Sequence, residues 1–144
     1  MAVSKNYLNR FKDVLRDHSL RLTSQRMAIL KDIMENDGHR ECDDIYSSLK
    51  RKHIKISRAT IYRTLDILTK AGFVWKMDIG DGRYRYERRL DQSHHDHMIC
   101  LECGTILEFV DQEIERLQQE LARKHGFKLT SHMHQLFGIC KDCQ

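Results

Sequence analysis

The chain has 144 residues, 40% hydrophobic and 32% charged, with a net charge of +4, which is the balance of a folding chain and excludes a disordered or collagen-like one. No apolar run approaches the ~18 residues of a membrane span, and MAVSKNYLNRFKDVLRDH lacks the apolar segment of a secretory signal, so the cytoplasm is the expected location. The charge is uneven: residues 1–93 hold 20 basic against 13 acidic side chains, residues 94–144 hold 5 against 8, and the second part has six of the nine histidines. A basic half suits a polyanion, and an acidic, histidine-rich half suits cations.

In chain order, residues 6–17 place Leu8, Phe11 and Leu15 on one helical face. Thr23 is the expected cap of a second helix bearing Met27, Leu30, Ile33 and Met34, with Gly38 as its stop. Residues 43–52 carry Ile45 and Leu49 on a third. Ser57 caps a fourth, residues 58–71, with Ile61, Leu65 and Leu68 inward and Gly72 ending it. The period then switches: FVWKMDIGDGRYRYE predicts two strands joined at Gly80-Asp81-Gly82. Helices followed by a hairpin outline a winged helix-turn-helix. After the polar stretch RRLDQS, HHDHMICLECGTILEFV predicts two strands around a cysteine knuckle. Ile114, Leu117, Leu121 and Ala122 mark a helix ending near Gly126, and FKLTSHMHQLFGIC returns as strand. About fifty residues of mixed α+β content bury little core alone and need a metal, a partner subunit or both.

The fourth helix is the expected DNA-reading element. With Ile61, Leu65 and Leu68 inward, Arg58, Thr60, Tyr62 and Arg63 face outward near its N-terminal end, the end that enters the major groove. Arginine forks onto guanine, and tyrosine or threonine packs on a thymine methyl. Lys50, Arg51, Lys52 and Lys55 just upstream are placed for phosphates.

Five cysteines in a reducing compartment argue against a disulfide framework. Cys100/Cys103 and Cys140/Cys143 form two C-x2-C pairs, the spacing of a closed tetrahedral zinc site that leaves no open position for catalysis. Cys42 stands alone and is expected to be a small packed residue. His94-His95-Asp96-His97 is dense in ligands. If extended, it sends His95 and His97 to one face and His94 and Asp96 to the other, which predicts two metal sites. Glu108 and Glu115 follow on the next strand and helix, and His132 and His134 on the last strand. Mixed nitrogen and oxygen donors suit Fe(II), Mn(II), Co(II) or Zn(II) without choosing among them.

The chain resembles the ferric uptake regulator (Fur) family in ATIYRTL (59–65), the hairpin followed by RYE (85–87), HHDHMICLECG (94–104), ILEF (106–109), KHGFKLTSH (124–132) and the final CKDC (140–143). The resemblance runs from about Asn6 to the end. It implies an N-terminal winged-helix DNA-binding domain, residues 1–88, and a small α/β dimerisation domain, residues 89–144. By position, Cys100, Cys103, Cys140 and Cys143 match the family's structural Zn(II) site. His39, Glu87, His95, His97 and Glu108 match its regulatory site, and His94, Asp96, Glu115 and His132 an additional site. Tyr62 and Arg63 match base-contacting positions, and Arg21 a residue inserted into the minor groove. Where many members have T-x-P-R, this chain has Thr23-Ser24-Gln25-Arg26. Glu108 stands where peroxide-sensing relatives typically have Asp, which favours the iron-sensing branch.

The implied function is an Fe(II)-dependent repressor of iron-uptake genes, working as a homodimer, or as a tetramer of paired dimers, on a two-fold symmetric, AT-rich operator. Mn(II), Co(II) or Zn(II) are possible substitutes for Fe(II). Sensing of zinc, manganese, nickel or peroxide are alternatives within the family. From other classes come a metallohydrolase using the HHDH cluster, for which no substrate pocket is visible in the sequence, and a zinc-stabilised interaction module.

Overall fold

The computed structural model describes residues 5–89 and 94–144. The first residues of the N-terminal stretch and most of RRLDQS lie outside them. The chain divides into two compact units, Met1–Gln92 and Ser93–Gln144.

The first unit runs α1 (Lys5–Asp17), α2 (Ser24–Glu35), α3 (Cys42–Arg51), α4 (Arg58–Lys70), β1 (Val74–Asp78) and β2 (Tyr84–Arg88). Thr23 caps α2, its hydroxyl accepting from Arg26 N–H, and Ser57 caps α4, accepting from Thr60 N–H at 3.1 Å. The α2 helix ends at Glu35, before Gly38: Asn36 turns extended and its side-chain amide donates to the Asp32 carbonyl at 2.7 Å. The α3 helix starts at Cys42, one residue earlier than expected, because the Asp44 carboxylate accepts from Glu41 N–H at 2.8 Å and so fixes the first turn. Ile61, Leu65 and Leu68 of α4 are fully buried against Phe11, Leu15, Leu30, Ile45 and Leu49. Strands β1 and β2 pair antiparallel, with Trp75 opposite Glu87 and Met77 opposite Arg85. This is the winged helix-turn-helix outline.

A buried carboxylate ties the helices together. Asp32 is fully buried on α2 and accepts from Ser48 of α3, from Arg40 at 2.8 Å and from Lys52 at 3.0 Å. Burial pushes its pKa up, but the hydrogen bonds from Ser48, Arg40 and Lys52 outweigh burial and hold the carboxyl below its ordinary value.

The second unit runs β3 (Asp96–Cys100), β4 (Ile106–Phe109), α5 (Gln112–Lys124) and β5 (Gln135–Gly138), with strand order β4-β3-β5. Strand β4 is antiparallel to β3, and β5 is parallel to it. The final strand is shorter than FKLTSHMHQLFGIC implies, since β3 offers a ladder only from Asp96 onward and residues 127–134 run irregularly towards it. Met98, Leu107 and Leu136 are register partners and form an exposed apolar row. The α5 helix has no buried residue, leaving Leu117 and Leu121 more than half exposed.

Candidate metal centres and DNA-facing surface

The cysteine knuckle sits at the end of β3. Gly104, at φ +73°, makes a turn that an L side chain would strain, and its N–H donates to the Cys100 carbonyl at 3.0 Å. A second turn, with Cys143 N–H donating to the Cys140 carbonyl at 3.0 Å, faces it. The four sulfurs lie within 4.8 Å of one another, with Cys103 and Cys140 3.8 Å apart. A tetrahedral ion with Zn–S bonds of ~2.3 Å holds its sulfurs roughly 3.8 Å apart, so the donor set fits structural zinc. The thiols are already differentiated. Backbone N–H groups of Cys103 and Cys140 pull Cys100 down to about 6, and the Cys140 side chain beside Cys143 pushes that thiol up to about 12.

Alternation along 94–97 separates the histidines as the pleat requires. On one face His95 and His97 meet edge to face, ring centroids 4.9 Å apart. Strand β4 sets Glu108 opposite His97, bringing its carboxylate to 4.0 Å from His95 Nε2. On the other face, Asp96 Oδ1 lies 3.2 Å from His94 Nε2 and 3.8 Å from His132 Nε2. Glu115, on the first turns of α5, places Oε1 3.2 Å from both imidazoles. His132 lies in the irregular run before β5, not on a strand. These four ligand atoms also lie within 4.8 Å of one another. Among the described residues, His94 Nε2 and Asp96 Oδ1 are buried with no hydrogen-bond partner. Two imidazole nitrogens and two carboxylate oxygens this close together, with His132 hydrogen-bonded to Glu115 but His94 Nε2 and Asp96 Oδ1 left without such a bond, fit a first-row divalent cation between them.

In the first unit, His39 Nε2 lies 3.5 Å from Oε2 of the buried Glu87. The pair is stitched on both sides. Arg40 and Tyr86 exchange backbone hydrogen bonds of 2.8 and 3.0 Å. Arg88 donates to the Met34 carbonyl at 2.8 Å and reaches Asp37 at 2.7 Å. The segment carrying His39 is thereby locked onto the strand carrying Glu87.

The DNA-facing positions differ in freedom. Tyr62 is half exposed and Arg63 is exposed on α4; Arg21 is exposed before α2. Arg58 is already engaged with Asp43 and stacks over the Tyr46 ring at 4.1 Å. Thr60 belongs to the cap, 3.0 Å from the Ser57 hydroxyl. Cys42 is buried, and its thiol is pushed up by burial against a hydrogen bond with Tyr62, so it packs α3 behind the reading face. His134 is a site residue that spacing alone left unassigned: its Nδ1 lies 3.3 Å from Asp96 Oδ2. The available signal was its position two residues after His132.

A basic winged helix joined to a unit built around a cysteine site and N/O ligand clusters defines the class of metal-responsive DNA-binding regulators. A family model of the ferric uptake regulator family matches residues 17–137. The ferric uptake regulation protein of Campylobacter jejuni is 42% identical over 138 residues, covering 94% of this chain and 87% of that protein. The solved Helicobacter pylori ferric uptake regulator, described with three functional metal-binding sites, superposes with a TM-score of 0.84 at 32% identity, covering 99% of this chain and 94% of that one. The Francisella tularensis ferric uptake regulator, solved with iron, gives 0.74 at 31% identity, covering 86% and 94%. The chain belongs to the ferric uptake regulator family, and it is a metal-responsive transcriptional regulator. The metallohydrolase alternative is not supported by these relatives. No helix among the described residues is long and apolar enough to cross a membrane.

Proposed function

We propose that the protein is an Fe(II)-dependent repressor of iron-uptake genes, acting in the cytoplasm, without enzymatic activity, as a homodimer on a two-fold symmetric, AT-rich operator. The observation that carries this reading is the placing of one ligand pair, His39 and Glu87, on the winged-helix unit, with His95, His97 and Glu108 on the other. These five residues would together hold one regulatory ion, and His94, Asp96, Glu115 and His132 a further one. The relative solved with iron supports Fe(II) as the signal, with Mn(II), Co(II) or Zn(II) as substitutes. When bound, the regulatory ion supplies coordination available only when the two units are correctly disposed, and it can shift a conformational equilibrium only through that preference. The chain's own part is to hold His39 rigidly to Glu87 through the Arg40–Tyr86 and Arg88 bonds, so that ligand position reports the position of the whole winged helix. Arg63 and Tyr62 would then meet base edges. Arg58, set by Asp43 and Tyr46, would meet the groove pre-oriented, and Arg21 would reach the minor groove. Thr60 would act by anchoring the start of the reading helix.

In this reading the winged-helix domain spans residues 1–88 and the dimerisation domain 89–144. Family members bind DNA and are dimeric, and the exposed row Met98, Leu107 and Leu136 supports dimerisation through the second domain. Pairing of dimers into tetramers is an outcome that the same experiment reads. The test is operator binding by protein that retains its cysteine-bound zinc, titrated without oxygen at fixed salt with Fe(II), Mn(II), Zn(II) and Ni(II). Binding that appears with Fe(II) or Mn(II) alone supports the iron-responsive repressor. Binding driven by low Zn(II) or Ni(II) changes the signal, and binding indifferent to every ion overturns the mechanism.

A further inference from the structure

The parallel pairing of β3 with β5 begins at His97 opposite Gln135. One step earlier, this register sets His134 beside Asp96, on the face opposite His95 and His97. His134 Nδ1 lies 3.3 Å from Asp96 Oδ2. A carboxylate oxygen is the natural acceptor of this pair and the imidazole N–H its donor. His134 is not among the four converging ligand atoms; it reaches the carboxylate oxygen turned away from them.

We propose that His134 is a positioning residue of the additional metal site, donating Nδ1–H to Asp96 Oδ2 so that Oδ1 faces the ion. The proposal rests on the reading of His94, Asp96, Glu115 and His132 as metal ligands. A carboxylate torsion is broad and nearly two-fold, so by itself an aspartate presents either oxygen in a range of directions. A donor on one oxygen removes that freedom. Asp96 is 1% exposed, so water does not compete for the role. His134 is itself fixed: its ring meets Phe109 edge-on with centroids 6.0 Å apart, and its carbonyl accepts from His97 N–H at 3.2 Å. One residue thus holds Asp96 by its side chain and His97 by its backbone. A side-chain substitution removes only the first of these, so the expected effect is confined to the additional site. Hydrogen bonds to ligating carboxylates support metal affinity by roughly 10- to 100-fold.

The test uses the whole 144-residue chain with zinc on its cysteines and His97→Ala as the common background, which disables the regulatory set. Co(II) is titrated without oxygen, read by its visible d–d bands and by stoichiometry. The background protein binds one Co(II) per chain beyond the zinc. Adding His134→Leu lowers that affinity roughly 10- to 100-fold and alters the band intensities. His134→Asn, whose amide N–H restores a donor, recovers affinity to within a few-fold. If zinc content and the thermal transition show that His134→Leu has not folded, His134→Ala replaces it. Unchanged affinity in a folded His134→Leu or His134→Ala protein overturns the proposal, as does an asparagine variant as weak as they are. If the background protein binds no Co(II) beyond its zinc, the four-residue site itself is refuted and the positioning role with it. Failure of the site and failure of the role are thus separate readings.

Discussion

Among the described residues the buried apolar side chains divide unequally. Eighteen, from Phe11 to Tyr86, lie in the winged-helix unit; in the second unit only Ile99 and Cys100 are buried, and α5 contributes none. The first unit is therefore held by packing between helices, with Asp32 bridging α2 and α3. The second has almost no core of its own; it carries a four-cysteine cluster that could hold zinc, clusters of histidines and carboxylates on opposite faces of β3, and exposed apolar side chains. The difference teaches where each function can act. A DNA-reading unit has to keep its shape whatever the metal supply. A sensing unit whose structure depends on ligands responds to them, because ligand binding and folding share one free energy.

The largest expected effect breaks the second unit alone. Cys103→Ser takes one thiolate from the four-cysteine cluster, and exhaustive chelation takes the ion that cluster would hold, in a unit with almost no core of its own. Amide hydrogen exchange is expected to lose protection across β3, β4 and β5 and to keep it across α2, α3 and α4. Protection that persists in the second unit would mean that its sheet stands without the metal.

The first unit breaks through its core. Asp32→Ala leaves Arg40 and Lys52 without their shared partner and is expected to cost about 3–5 kcal/mol, the scale of breaking a buried pair. Leu65→Ala costs about 2–5 kcal/mol by opening a cavity. Both are read by urea unfolding of the winged-helix transition. Asp32 also sets an acid limit. Its carboxyl is depressed in the folded state, so its stabilisation is complete above the ordinary carboxylate value of 3.8 and is lost as pH falls through the lower folded value. Asp32→Asn is therefore expected to flatten the acid limb of stability against pH. An unchanged limb would place the sensitivity on other carboxylates.

Residues whose role is set by neighbours in the chain were legible in the sequence. Thr23 and Ser57 announce themselves as caps, Ile61, Leu65 and Leu68 as one helical face, and the two C-x2-C pairs as a closed site. The alternation of His94, His95, Asp96 and His97 separates two donor sets before any fold is known. Asp32 was not legible, because a carboxylate on an amphipathic helix reads as solvated until Ser48, Arg40 and Lys52 converge on it. The extent of β5 and the role of His134 were hidden for a related reason. Both depend on where β3 begins, and the start of a parallel pairing leaves no mark in the sequence of either strand. The engagement of Arg58 with Asp43 and Tyr46 is likewise a matter of how α3 crosses α4.

A smaller effect tests the apolar surface. Leu121→Glu puts a charge on α5 where a partner would cover it. The dimer is expected to weaken by at least an order of magnitude in sedimentation, the scale of one lost apolar anchor with a charge left buried. The melting of the winged-helix unit is expected to stay unchanged. Sedimentation indistinguishable from the parent would remove α5 from the interface.

The smallest effects give the finest comparison, because the same chemistry can be deleted from each unit. Ser57 caps α4 with one hydrogen bond, and Asp111 caps α5 with two, from Glu113 N–H at 2.9 Å and Ile114 N–H at 3.1 Å. Ser57→Ala and Asp111→Ala are each expected to cost about 1 kcal/mol. On a calorimetric trace of the zinc-loaded protein that is a fall of a few degrees in one transition. Ser57→Ala should move the winged-helix transition and leave the other in place, while Asp111→Ala should do the reverse and also weaken the dimer, since α5 lacks a core to hold its first turn. If both transitions move together under either substitution, the two units unfold as one, and packing in the first unit supports the second despite the inequality of their cores.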